Sequence, residues 1–496
     1  MSGSLTVPPQ EATPPFVLAV DVGSTGTRAG IHDARGRPLR GRRTKVPHSF
    51  TTLSDGTSTI DADQVTAEVR RVIGAVLDDF PHPVAGVAID TFASSLVGVD
   101  AAGAAITPCY TYADSRSAPQ VNHLRSILDE DDTQQRTGTR QHTGYLPSRF
   151  LWLKQNDRAT FDRVRSWMSL GEYAWLRIIG TTAAGTSTAA WTGMLNRRAG
   201  TWDAELLDLV GVAADQLSPI ASPSQPLTPA TSVAGEWPPL ADAVWFAPIS
   251  DGHSQSIGAG SVDPSRMVLS AATSGALRVL VPGDLDNLPR GLWCNRIDEG
   301  SSILGGALND VGRAMAWLEA TLKLPGPEER AALLLSEPVK GLPVVLPWFS
   351  GERSTGWVGE ARAVLHRVSA ATTASDLYRA TVEGVALSYV RMLKELVTVS
   401  GRPAEIIATG RVTADLPGLL QVVADASGIP VTPLALKRST LRGTALHALP
   451  VLAPGVVPAE APTGEPYRPH PERLGYYHRR SERFQVLYDK VIAPAY

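Results

Sequence analysis

Asp21, Gly23, Ser24, Thr25, Gly26, Thr27 and Arg28 follow an apolar run, residues 16–20, that reads as a buried strand. The two glycines permit the positive-φ geometry of a tight hairpin with backbone N–H groups turned inward. Together with the hydroxyls of Ser24, Thr25 and Thr27, these groups form a concave donor cluster of the kind that suits phosphate oxygens. Asp21, at the strand's end, has the chemistry to organise a hydrated Mg2+, which prefers one or two carboxylates plus waters and phosphate. Taken alone, the stretch also reads as an ordinary glycine-rich hairpin tip.

A partial copy lies in the other half of the chain. In Met267-Val-Leu-Ser-Ala-Ala-Thr-Ser-Gly-Ala-Leu-Arg278 an apolar strand leads into hydroxyl residues and a glycine. Gly23-Ser24-Thr25-Gly26 falls on Ala272-Thr273-Ser274-Gly275, and Asp21 falls on Ser270, so only the first copy carries the carboxylate. Two such hairpins from two similar domains could grip a polyphosphate from both sides, which predicts a closing cleft. Asp251, in Ser250-Asp-Gly-His253, stands between a strand and a small-residue helix. There it is either an N-cap, worth about 1 kcal/mol, or a general base projecting into a cleft. His253 reads as satisfied structure or a cap. Asp114 and Arg116, in Tyr112-Ala-Asp-Ser-Arg116, lie past strand-like stretches, where ligands of open α/β sheets collect. They read either as contacts to a hydroxylated substrate or as a surface turn with a local ion pair.

The elements that must position these residues alternate between strand and helix, as in an α/β protein. Asp61 reads as the N-cap of a helix with Val65, Val69, Val72, Ile73, Val76, Leu77 and Phe80 inward, ended by Pro81 and Pro83. Residues 84–90 read as a buried strand, 147–180 as mostly helix with Trp152, Trp167 and Trp175 in the core, and 217–239 as a long connection. The basic run from Arg35 to Lys45 reads as a solvated strand pair. In the second half, Gly305-Gly306 is expected to open a helix running to Leu322. A long helix is expected over 373–399, a strand over 406–408 ending at Thr409-Gly410, and helices over 416–426 and from Gly443. Beyond Pro454 a C-terminal extension with one helix, around 479–492, is expected.

The length of 496 residues suggests about two to four domains. The net charge of −3 gives no electrostatic reason to expect nucleic acid or an anionic membrane as main partner. Two cysteines make neither a disulfide framework nor a zinc site, and no apolar run approaches a membrane span, so a cytoplasmic protein is expected. Residues 1–15 lack the regions of a signal peptide and read as a disordered lead-in.

The motifs Asp21-Val-Gly-Ser-Thr-Gly-Thr-Arg28, Tyr112-Ala-Asp-Ser-Arg116, Ser250-Asp-Gly252, Ala272-Thr-Ser-Gly275, Gly351-Glu-Arg-Ser354 and Asp376-Leu-Tyr-Arg-Ala-Thr-Val-Glu-Gly384 occur in that order. Together they resemble the FGGY carbohydrate kinase family, and within it gluconate kinases most, with xylulose kinases next. The resemblance implies an α/β fold of two actin-like, ribonuclease-H-like domains facing a central cleft. Its divisions would fall at 16–252 and 253–453, with 454–496 as the extension. It implies ATP and Mg2+ as cofactors and a small-molecule sugar or sugar acid as substrate, gluconate-like by preference; it leaves a homodimer open. It implies Asp251 as catalytic base and substrate contact, and Asp21 as the metal-organising carboxylate. Gly23, Ser24, Thr25 and Arg28 would form the first phosphate loop, and Thr273, Ser274 and Gly275 the second. Gly306, Asp310, Gly410 and Arg411 would lie on the nucleotide, and Ser94, Asp114 and Arg116 on the sugar. The chain departs from the family pattern at Ala272, at Gly410-Arg411, at Ala93-Ser94 in place of a Met-His pair, near Arg367, and at Arg149 in place of lysine. Two alternatives follow: a ketose or polyol kinase of the same family, or a catalytically weak, sugar-responsive binding or regulatory protein on the same scaffold.

Overall fold

A computed structural model describes residues 5–493. The chain builds two sheets of the same plan. In the first, Val17–Gly23, Gly26–His32 and Pro38–Val46 run antiparallel as neighbours. Gly86–Thr91 then joins the other edge of Val17–Gly23 in parallel, and Val244–Trp245 and Ile249–Ser250 extend beyond it. In the second, Arg266–Ala271, Gly275–Pro282 and Ser301–Leu308 repeat the antiparallel set, with Trp293–Arg296 at the far edge. Glu405–Thr409 and Val431–Pro433 repeat the parallel side. The echo between residues 17–28 and 267–278 is thus a repeat of whole sheets.

Each sheet is buried by amphipathic helices. Ala62–Leu77 starts at Asp61, whose carboxylate accepts from the Gln64 N–H, and buries Val65, Val69, Val72, Ile73 and Val76 on the first sheet. Each such side chain stabilises by roughly 1.5–3 kcal/mol. Arg42, in the basic run, donates to the carbonyls of Val76, Asp78 and Asp79 at that helix's C-terminus, where a cation is favoured. In the second domain the long helix Ala374–Ser400, opened by a Thr373 capping box, and Pro417–Ser427 cover the sheet. Between the two sheets lie Asp251–Gly258 and Ser439–Leu452. Leu441, Ala445 and Ala448 pack on Val17, Ala19 and Ala88 of the first sheet, so the helix late in the chain returns to the first domain. The two helices cross backbone to backbone. A Cβ on Gly443 would strike the Ser254 carbonyl, and one on Gly258 the Ser439 carbonyl.

Several expectations change. Gly305-Gly306 does not open a helix; both lie inside the strand Ser301–Leu308, and the helix is Gly312–Thr321. Their small size serves sheet packing, since side chains there would meet Trp293, Met392 and Ser354. The last crossing helix begins at Ser439 rather than Gly443. Residues 5–15 are not a disordered lead-in: Val7 bridges the edge strand at Leu39, and Thr13 bonds to Asp33. Residues 1–4 of that segment lie outside the described residues. The C-terminal helix spans Pro471–Val491, and its Phe484, Leu487 and Tyr488 share a core with Trp348 and Leu387.

Candidate active site

Asp251 lies within electrostatic reach of Asp21 on the first hairpin and of Arg278 on the strand that leaves the second. In the first, Gly23 pairs with Gly26, leaving a two-residue turn of Ser24 and Thr25. Gly26 has φ of 145°, and a side chain there would collide with the Val46 carbonyl. Asp21 stands opposite Arg28 in the ladder and pairs with it at 3.1 Å; Arg28 also donates to Thr25 Oγ1 at 3.2 Å. Burial pushes the Asp21 carboxyl up to about 6, Arg28 opposing and Asp251 reinforcing the shift. His48, unmarked in the sequence, hydrogen-bonds the Gly23 carbonyl at 2.8 Å and Glu68 at 2.7 Å, and Glu68 accepts from Thr27. Asp90 sits beside Asp21 on the neighbouring parallel strand, wholly buried, and accepts from the Thr444 hydroxyl. Burial and the adjacent Asp21 hold its carboxyl well above the ordinary range.

The second hairpin differs by one residue. Ala271 pairs with Gly275, so Ala272, Thr273 and Ser274 form a three-residue turn. The residue-for-residue match to the first turn therefore fails, because the strand pairing slips by one. The Val311 and Arg313 N–H groups donate to the Thr273 carbonyl and the Gly312 N–H to that of Ala272. These three residues clip the hairpin to the next helix and carry no local sequence signal of that role. Gly410 has φ of 100° and presses on the Ala271 backbone, where any Cβ would strike the carbonyl oxygen. Arg411 next to it is exposed and pairs with Asp415. Thr273 and Ser274 are exposed at the turn, Gly275 is buried against the Tyr389 hydroxyl, and Gly306 is buried in mid-strand. Asp310 is buried with its carboxylate committed to Ser350, by its N–H and its hydroxyl, both at 2.8 Å.

Asp251 is the first residue of its helix. Ser250 is the N-cap, its Oγ accepting from the His253 N–H, so Asp251 is released from that duty. Its carboxylate accepts from the Gly252 N–H at 2.8 Å and from the Ala93 N–H. Burial raises its pKa, and Arg278 and the backbone donors oppose the rise. Tyr112 marks the meeting point of the parts: it hydrogen-bonds Ser24 and lies within electrostatic reach of Asp251, Arg353 and Arg313.

On the remaining side Ser94 has φ of 57° and donates to the Trp191 carbonyl. Arg149 donates to the carbonyls of Ser94, Thr111 and Thr143. A guanidinium fork can tie three loops where a lysine offers a single point charge. Asp114 is buried, accepts from the Ser58 N–H, and pairs with Arg116 at 2.7 Å, whose guanidinium lies 4.2 Å over Trp152. This pair is a closed unit, and Trp152 is its platform rather than plain core. Tyr145 and Trp191 of the first domain meet Trp293 and Trp357 of the second in one apolar cluster across the cleft.

The donor set fits a Mg2+-bound polyphosphate: hydroxyls at least partly exposed at two hairpin turns, a buried carboxylate at the strand end, and a glycine backbone with no Cβ beside the second turn. The sequence matches the descriptions "FGGY family of carbohydrate kinases, N-terminal domain" over residues 16–236 and "C-terminal domain" over 267–450. It is 22% identical over 415 residues to a gluconokinase of Bacillus subtilis (strain 168), covering 80% of each chain. A xylulose kinase structure from Lactobacillus acidophilus superposes with a TM-score of 0.89 at 23% identity, over 96% of this chain and 98% of that one. A gluconate kinase structure from the same organism gives 0.88 at 23% identity, over 96% and 97%. With both domains matched in order on sheets of one repeated plan, the chain belongs to the FGGY family of carbohydrate kinases and is a sugar kinase with the actin-like fold.

Proposed function

We propose that the protein transfers the γ-phosphoryl group of ATP to a hydroxyl of a sugar acid of the gluconate type, with Asp251 as general base. The observation that carries this reading is Asp251 itself: freed from capping by Ser250, fixed by the Gly252 and Ala93 N–H groups, and within electrostatic reach of Asp21 and Arg278. Its carboxylate takes the proton of the acceptor hydroxyl as that oxygen bonds to the γ-phosphorus and ADP leaves. Phosphoryl transfer needs little covalent help and much positioning. Ser24, Thr25 and Arg28 hold phosphate oxygens from one side; Thr273 and Ser274, with the backbone at Gly410, hold them from the other. Asp21 would hold Mg2+ through its waters, and the ion when bound supplies neutralisation of the phosphate charge. The aromatic cluster excludes water, which suppresses transfer to solvent.

Acceptor-dependent ADP release is the test. A panel of aldonates, ketoses and polyols is expected to contain at least one acceptor that stimulates release. Asp251→Asn is expected to lower that rate by about 10²- to 10⁴-fold while ADP binding, followed by calorimetry, persists. A panel with no stimulating acceptor would refute the reading.

A further inference from the structure

We infer that Arg353 and Arg278 form a seat for a carboxylate on the acceptor, so that the site selects an acidic sugar over a neutral ketose or polyol. This rests on the kinase reading above and adds to it the residues that choose the substrate. Arg353 comes from the second domain, one residue past Glu352, and reaches Tyr145 of the first domain with a hydrogen bond. It lies within electrostatic reach of Tyr112, His142 and Arg278. Arg278 projects from Gly275–Pro282 and donates from Nη1 to Gln255 Oε1 at 2.7 Å. It lies beside Asp251, its Nε 3.6 Å from the point where a Cβ on Gly252 would stand. The Nε atoms of both arginines are buried and have no hydrogen-bond partner.

Arg28 is paired with Asp21, Arg116 with Asp114, and Arg149 with three carbonyls. Among the described residues neither Arg278 nor Arg353 makes an ion pair; Arg278 lies within electrostatic reach of Asp251, and Arg353 within reach of Arg278. Arg438 also lacks an ion pair among the described residues, but it lies by Asp21, Arg28 and Arg43 at the first hairpin rather than beside the aromatic cluster. Glu352 is not available to its neighbour. Arg391 and Tyr488 donate to its two oxygens, both at 2.8 Å, and so does the Gly356 N–H. With Asp251 near Arg278 alone and Arg353 hydrogen-bonded to the neutral Tyr145, a surplus positive charge is left beside the aromatic cluster. An unpaired buried charge is costly, and a guanidinium fork matches a carboxylate in geometry as well as sign. A neutral acceptor would leave the surplus in place; an acidic one removes it.

Two measurements on the purified full chain test the seat. Calorimetry on the unaltered protein is expected to detect binding of gluconate and none of glucitol, its neutral counterpart. In initial-rate assays Arg353→Gln is expected to raise the gluconate KM by about 10- to 100-fold, the range for a lost charged hydrogen bond. The ATP KM should stay within about twofold. Equal binding of gluconate and glucitol, or binding of neither, overturns the inference. So does an Arg353→Gln variant whose ATP and gluconate KM values rise together, which would put the guanidinium on phosphate. A protein that binds gluconate selectively but releases no ADP with any acceptor refutes the kinase reading and leaves the seat standing.

Discussion

Asp21 is buried, sits next to the buried Asp90, and has Arg28 at 3.1 Å as its one ion-pair partner among the described residues. A carboxylate so placed is held partly by burial toward its neutral form, and a bound cation would offset that. Asp21→Ala is therefore expected to raise the Mg2+ concentration for half-maximal rate by at least about tenfold, with a smaller effect on acceptor KM. An unchanged Mg2+ titration would remove Asp21 from the metal role. Asp21 and Asp251 were legible in the sequence because each stands at a junction of elements that local pattern reveals. His48, Asp90, Arg278 and Arg353 were not, since a lone charged residue carries no signature of what it will face. Gly306 misled as a helix start, because a glycine that permits sheet packing looks like one that opens a helix.

At the scale of elements, the crossing of Asp251–Gly258 with Ser439–Leu452 carries His253 and His447 in edge-to-face contact, ring centroids 5.6 Å apart. Burial pulls His253 down to about 3 and His447 to about 4, and His32 of the first sheet also to about 3. In each case the folded pKa lies below the unfolded value of about 6.5. Between those values the unfolded chain binds more protons, so stability rises with pH through that window and is lost as pH falls. Each group contributes up to about 1.4 kcal/mol per pH unit there. The raised carboxyls of Asp21 and Asp90 act in the opposite sense, so the test is a difference. Between pH 7 and pH 5 the melting temperature of His447→Gln is expected to change with a less positive slope in pH than that of the unaltered protein. A variant with the same slope as the unaltered protein would show that His447 does not drive it. The helices themselves were largely written in apolar period and caps, as at Asp61 and Thr373. The one-residue difference between the two hairpin turns was not, because strand register is set by what packs behind the sheet.

For the molecule as a whole, the segment after Pro454 is part of the second domain's core. Phe484 is buried against Trp348 and Tyr488, and Tyr488 reaches Glu352, so the last helix braces the loop that presents Arg353. Phe484→Ala is expected to cost about 3–5 kcal/mol, seen as a lower melting temperature in calorimetry. A melt within error of the unaltered protein would show that the extension is dispensable. The domains also meet away from the crossing helices, where the Cys294 N–H donates to the Gly138 carbonyl at 2.8 Å and Gln134 Nε2 to that of Leu292 at 2.6 Å. By itself the amino-acid sequence determined the alternating elements, the duplicated sheet plan and the family, because periodicity, caps and motif order are local or strictly sequential. Only the tertiary structure decided which polar and charged groups meet: Thr444 with Asp90, Arg278 with Asp251, Tyr488 with Glu352. Those partners lie far apart in the chain, and their meeting depends on how two sheets and two crossing helices pack.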